Sequence, residues 1–154
     1  MSFDGQTTSS SPAKSLTMRE FLASDHAIAL ELWLRTPEVG LSDADSYSAI
    51  SAFLDRNSGL SFTAWDDNEL VGTILCGHDG RRGLIHHLVV SPLMRRRGLG
   101  RALVSASLAA LRAQGIAKCH LLVFADNAKG RAFWRGIGAT PRDELTLYSC
   151  ETGA

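Results

Sequence analysis

The chain of 154 residues carries 16 Lys and Arg against 16 Asp and Glu, and 45% of it is hydrophobic. That length argues for one domain, and the balanced charge excludes a general nucleic-acid or membrane-surface binder, which needs a net basic field. The zero conceals a split: residues 1–77 hold 4 bases and 11 acids, residues 78–154 hold 12 bases and 5 acids, and no Asp or Glu occurs between Asp79 and Asp126. A basic half in a neutral chain points to one local anionic ligand.

Residues 1–13 are small and polar without periodicity and read as a flexible tail before a single domain over 14–154. Lys14 to Phe21 alternates apolar and polar residues, as a first strand does. Ser24 or Asp25 then caps a helix carrying Ile28, Leu30, Leu32, Trp33 and Leu34, which ends near Thr36 and Pro37. A linker leads to Asp43 or Asp45 as the next cap, and to a helix bearing Ile50, Phe53 and Leu54 that stops at Asn57 to Gly59. Strands over Leu60 to Trp65, Leu70 to Cys76 and Leu84 to Val90 follow as a meander, ended by Pro92.

From Gly98 to Gln114 an amphipathic helix presents Leu99, Leu103, Ala106, Ala110 and Leu111 on one face, with Gly115 as its stop. Ala117 to Phe124 is an apolar strand, Asp126 or Asn127 caps a helix through Phe133 to Gly136, and Glu144 to Tyr148 supplies a last strand. The order predicts an α+β fold: a mixed, largely antiparallel central sheet of about six strands with flanking helices. No apolar run approaches membrane-spanning length and no basic-then-apolar leader opens the chain, so no membrane partner and a cytoplasmic location are expected. Cys76, Cys119 and Cys150 lack companions at ligand spacing, so neither a disulfide framework nor a metal site is expected.

The chemistry concentrates in LVVSPLMRRRGLGRAL, residues 88–103. An apolar strand, a Pro-containing turn, three arginines and two glycines run into a helix, whose first-turn N–H groups lack internal partners and form its positive end. Such a loop cradles an anion, with Arg95, Arg96, Arg97 and Arg101 adding charge and Gly98 and Gly100 letting the anion approach the backbone. A Walker A loop is excluded because no Gly-Lys-Ser/Thr tripeptide exists. A Rossmann fingerprint is excluded because Leu103 stands where its third glycine belongs, and no acid follows about twenty residues on.

The motif R-x-x-G-x-G, with Arg95, Gly98 and Gly100 in place after Leu88-Val89-Val90, resembles the acyl-coenzyme A signature of the GNAT superfamily of N-acetyltransferases. The block NAKGRAFWRGIGA, residues 127–139, is similar to that family's downstream motif, matching at Asn127, Phe133 and Gly138. The likeness spans roughly Leu70 to Tyr148, and GHDGRRG at 77–83 looks like a small bacterial branch of the superfamily.

The resemblance implies a sheet splayed between its fourth and fifth strands to admit the pantetheine arm of acetyl-CoA. It implies that N–H groups from Arg96 to Arg101, with Leu99 among them, hold the pyrophosphate, that Leu88, Val89 and Val90 pair with the arm, and that the Leu88 N–H donates to the thioester carbonyl. Asn127 and Phe133 would contact the arm from the downstream helix. The implied activity is direct transfer of an acetyl group from acetyl-CoA to a primary amine, small or peptidic, in a ternary complex; a homodimer is common among relatives.

Two departures stand out. Trp134 occupies the place of a Tyr that protonates the leaving thiolate in many members, and an indole is no usable acid, which keeps open a non-catalytic acyl-CoA-binding or sensor module. The strand before the loop holds no carboxylate base, only His86 and His87. Strand alternation puts His86 on one face with Leu88 and Val90 and turns His87 away, and His86 resembles the base of some arylalkylamine-acetylating members. His86 is therefore the candidate base, against a strand histidine satisfied by a neighbour. Glu38, Asp43 and Asp45 are cap or solvent carboxylates that could also draw a cationic substrate.

Overall fold

The long third strand is apolar on both sides, so it needs helices on each face. In the computed structural model, which describes residues 16–154, it has them. The elements are β1 (Leu16–Glu20), α1 (His26–Leu34), α2 (Tyr47–Arg56), β2 (Phe62–Asp66), β3 (Glu69–His78), β4 (Gly83–Val90), α3 (Leu99–Ala113), β5 (Cys119–Leu121) and α4 (Ala128–Gly136). Short 3-10 turns lie at Ala23–Asp25, Asp43–Asp45 and Pro92–Met94. The expected tail, and Lys14 and Ser15 of the expected first strand, lie outside the described residues.

The described residues divide into two compact units, residues 16–121 and 122–154. In the first, five strands run in the order β1-β2-β3-β4-β5, antiparallel except for the parallel pair β4 and β5. β3 divides the core by alternation. Thr73 accepts a hydrogen bond from Trp33 Nε1 of α1 at 2.9 Å, whereas a Cβ on the adjacent Gly72 would lie 3.1 Å from Leu103 Cδ1 of α3. Thus α1 covers one face and α3 the other. The α1 side buries Phe21, Ala29, Leu32, Trp33, Ile50, Leu70, Leu75 and Val89. The α3 helix buries Leu99, Leu103, Val104, Ser107 and Leu111. Leu103 is fully buried. Leu103→Ala should therefore cost about 2–5 kcal/mol by chemical denaturation, as large-to-small core changes do.

The parallel pairing of β4 with β5 covers only Gly83, Ile85 and the residue between them, opposite Cys119 to Leu121. From His86 to Val90, β4 runs on without a β5 partner, which is the splay expected between the fourth and fifth strands.

The sheet has five strands rather than about six. In the second unit, residues 144–148 are not a strand. A turn closed by Leu145 N–H donating to the Arg142 carbonyl at 3.1 Å, and an Arg142–Glu144 ion pair at 2.6 Å, take up the start of that segment. Alternation of Leu145 and Leu147 is a weak signal when no strand lies within residues 122–154 to pair with.

Candidate functional site

The site is built where β4 departs from regular pairing. Leu75 stands opposite His86 and Thr73 opposite Val89, so Ile74 alone faces both His87 and Leu88, and the extra residue makes a β-bulge. His87 takes φ +47, a left-handed conformation that costs an L-residue roughly 1–2 kcal/mol. Its carbonyl accepts from Thr73 Oγ1 at 3.0 Å, the same hydroxyl that Trp33 Nε1 donates to.

The bulge overturns the expected alternation. His86 lies beside Phe53 of α2, ring centroids 6.2 Å apart, and His87 lies against Trp33 of α1 at 4.8 Å. Both imidazoles therefore face the α1–α2 side, 6.4 Å apart, while Val90 pairs with Gly72 of the α3 face. His86 does not share its face with Val90, because the extra residue shifts the period by one.

His87 Nε2 meets Asp45 Oδ1 at 2.6 Å, with only 14% and 11% of the two side chains exposed. Asp45 Oδ2 accepts the Ser42 N–H at 2.9 Å and the Asp45 carbonyl bonds His26 Nε2 at 2.7 Å. Asp45 is thus a cap, as its sequence suggests, and also a hydrogen-bond partner of His87 on β4, which no local pattern signals. His86 has no hydrogen-bond partner among the described residues. Burial, and then the nearby charge of His87, hold its pKa below the ordinary imidazole range, against the opposing pull of Asp45. A neutral imidazole at pH 7 can accept a proton.

Beyond Val90, the chain turns through the Pro92–Met94 3-10 turn into the glycine-arginine loop. Arg95 Nε donates to the Val90 carbonyl at 3.2 Å. Arg96 at φ +64 and Gly98 at φ +77 bend the backbone in alternate residues, the geometry in which successive N–H groups form an anion-binding hollow. Gly98 is the N-cap of α3, no side chain caps the helix, and a Cβ there would meet nothing within 4 Å. Arg95, Arg96, Arg97 and Arg101 are all exposed. An open helix N-terminus with four exposed guanidinium groups suits a polyphosphate anion such as the diphosphate of a nucleotide.

Leu88, Val89, Val90 and residues 95–101 thus fall in one continuous stretch of the first unit with His86. Asn127, Phe133 and Trp134 fall in the second. There Asn127 Oδ1 accepts the Gly130 N–H at 3.0 Å as the N-cap of α4, and Phe133 and Trp134 stand edge to face at 5.3 Å. The three cysteines are free, and among the described residues no group of His, Cys, Asp and Glu could hold a metal ion. Among those residues no helix is long and apolar enough to cross a membrane.

Known proteins resemble this chain in sequence and fold. The Acetyltransferase (GNAT) family model matches residues 26–139. An acetyltransferase of Pectobacterium atrosepticum is 33% identical over 112 residues, covering 73% of this chain and 79% of its own. One of Photorhabdus laumondii is 30% identical over 136 residues, covering 88% and 83%. Among solved structures, the PaiA N-acetyltransferase of Thermoplasma acidophilum in complex with coenzyme A superposes with TM-score 0.72 at 20% identity, over 84% of this chain and 92% of that one.

Proposed function

The chain belongs to the GNAT acetyltransferase family and is an N-acetyltransferase that uses acetyl-CoA, and from that premise we propose that it acetylates a cationic primary amine by direct transfer with His86 as base. The observation that carries this reading is the part-buried His86 imidazole, beside Phe53 and without a hydrogen-bond partner among the described residues, on the strand whose residues 86–90 have no β5 partner and which leads into the glycine-arginine loop. The non-catalytic alternative raised by Trp134 is not retained.

Acetyl-CoA supplies the activated acetyl group. The N–H groups of the 96–101 loop, with Arg95, Arg96, Arg97 and Arg101, hold its diphosphate, and the β4 edge at Leu88, Val89 and Val90 bonds the pantetheine amides as an added strand would. The Leu88 N–H donates to the thioester carbonyl oxygen, where negative charge grows as the amine attacks.

His86 removes the ammonium proton, directly or through one water. The amine nitrogen then bonds the carbonyl carbon and loses its second proton to water, the C–S bond breaks, and coenzyme A departs as a thiolate that solvent protonates. A thiolate is a much weaker base than the amine nitrogen that displaces it and leaves without much help. Holding both reactants in one cleft is worth up to about 7–11 kcal/mol.

The acidic first half of the chain supports a cationic acceptor, because Glu38 and Asp43 lie exposed on the linker between α1 and α2 that meets His87 through Asp45. Incubation with acetyl-CoA and a panel of amines, followed by free thiol, should give acceptor-dependent release with cationic primary amines. Release only with neutral or anionic acceptors would overturn the assignment.

A further inference from the structure

We propose that Asp45 is a positioning residue for the acceptor, acting through His87 to pin the α1–α2 linker onto the β4 bulge beside His86. The proposal rests on the reading that the amine is received at His86. His87 is a backbone outlier at φ +47. A non-glycine residue held at positive φ persists only where its surroundings over-determine it, and His87 is held from both ends: its imidazole by Asp45 at 2.6 Å and its carbonyl by Thr73 at 3.0 Å. Trp33 closes the frame, packing on the His87 ring at 4.8 Å while donating to the same threonine.

Asp45 sits at the other end of that frame. Each of its oxygens is engaged: Oδ1 by His87, Oδ2 by the Ser42 N–H, the carbonyl by His26. With its side chain only 11% exposed and each carboxylate oxygen bonded within the protein, Asp45 is poorly placed to bind a cationic amine itself; its geometry suits fixing the linker. The linker leads directly into α2, whose Phe53 ring stands 6.2 Å from His86. Loss of the Asp45 bond therefore frees, together, the linker, the start of α2 and the imidazole neighbouring the base. Misplacement of reactants by about 1 Å costs on the order of 100-fold in rate.

The test is a double-mutant cycle with Asp45→Asn, His87→Gln and the pair, read by steady-state kinetics, acetyl-CoA calorimetry and amide hydrogen exchange. Each single variant should lower kcat/KM for the amine by about 10- to 100-fold. The double variant should be no worse than either, because the two residues act as a unit, while acetyl-CoA affinity stays within about two-fold. Exchange should quicken at residues 37–46 in all three variants and stay unchanged in α3. Additive losses, an equal loss of acetyl-CoA affinity, or unchanged exchange in the linker would each overturn the proposal. If the wild-type protein turns over no amine, the function proposed above fails, and the exchange pattern alone decides whether Asp45 and His87 pin the linker.

Discussion

Replacing Gly98 with Glu is expected to weaken acetyl-CoA binding by at least about 100-fold, roughly 2.7 kcal/mol, measured by calorimetry. Two effects combine. A side chain at Gly98 would project into the open space before the first turn of α3, where nothing lies within 4 Å, and a carboxylate there would repel the diphosphate it displaces. Strain is a separate matter. Any L-residue at φ +77 costs roughly 1–2 kcal/mol of stability, whether or not the position binds anything. Gly115 provides the control, since it has φ +82 and equally open surroundings at the far end of the same helix. Gly98→Ala and Gly115→Ala should lower stability alike, and only the former should lower acetyl-CoA affinity. Equal affinities in the two alanine variants would remove the cradle from the account.

The second large effect falls on the base. His86→Ala should lower kcat/KM for the amine by about 100- to 10,000-fold, the usual worth of a positioned proton acceptor, with acetyl-CoA affinity unchanged. The pH profile carries the sign. Because burial and the His87 charge lower the His86 pKa, the active neutral form persists to more acidic pH than for an ordinary imidazole. Activity should hold as pH falls through the usual histidine range and decline only below it. A decline centred above that range, or full activity in the alanine variant, would assign the proton to another group.

How much of this was legible in the sequence follows from the range of each interaction. The glycine-arginine loop and the helix it opens were readable because their parts are consecutive: Arg95, Gly98 and Gly100 precede a helix whose apolar face repeats at helical spacing. The element order was readable for the same reason, apart from the last strand, where a local turn at Arg142 to Leu145 outweighs a short alternation. The orientation of His87 was not. Alternation holds only while each residue has one partner, and the extra residue opposite Ile74 is set by how β3 and β4 pair. The Asp45–His87 contact joins residues 42 positions apart, so a cap signal at Asp45 hid a second role. The splay, too, is a pairing that stops after Ile85 and Leu121, while both strands read as apolar well beyond those residues.

Rapid mixing tests direct transfer. The protein is mixed first with acetyl-CoA alone and then with acetyl-CoA plus an accepted amine, following free thiol and the intact mass of the protein. The account predicts no thiol burst and no acetyl adduct on the protein in the first mixture. In the second, thiol and N-acetylated amine should form in equal amounts. An acetylated protein formed from acetyl-CoA alone, and discharged when the amine arrives, would contradict it.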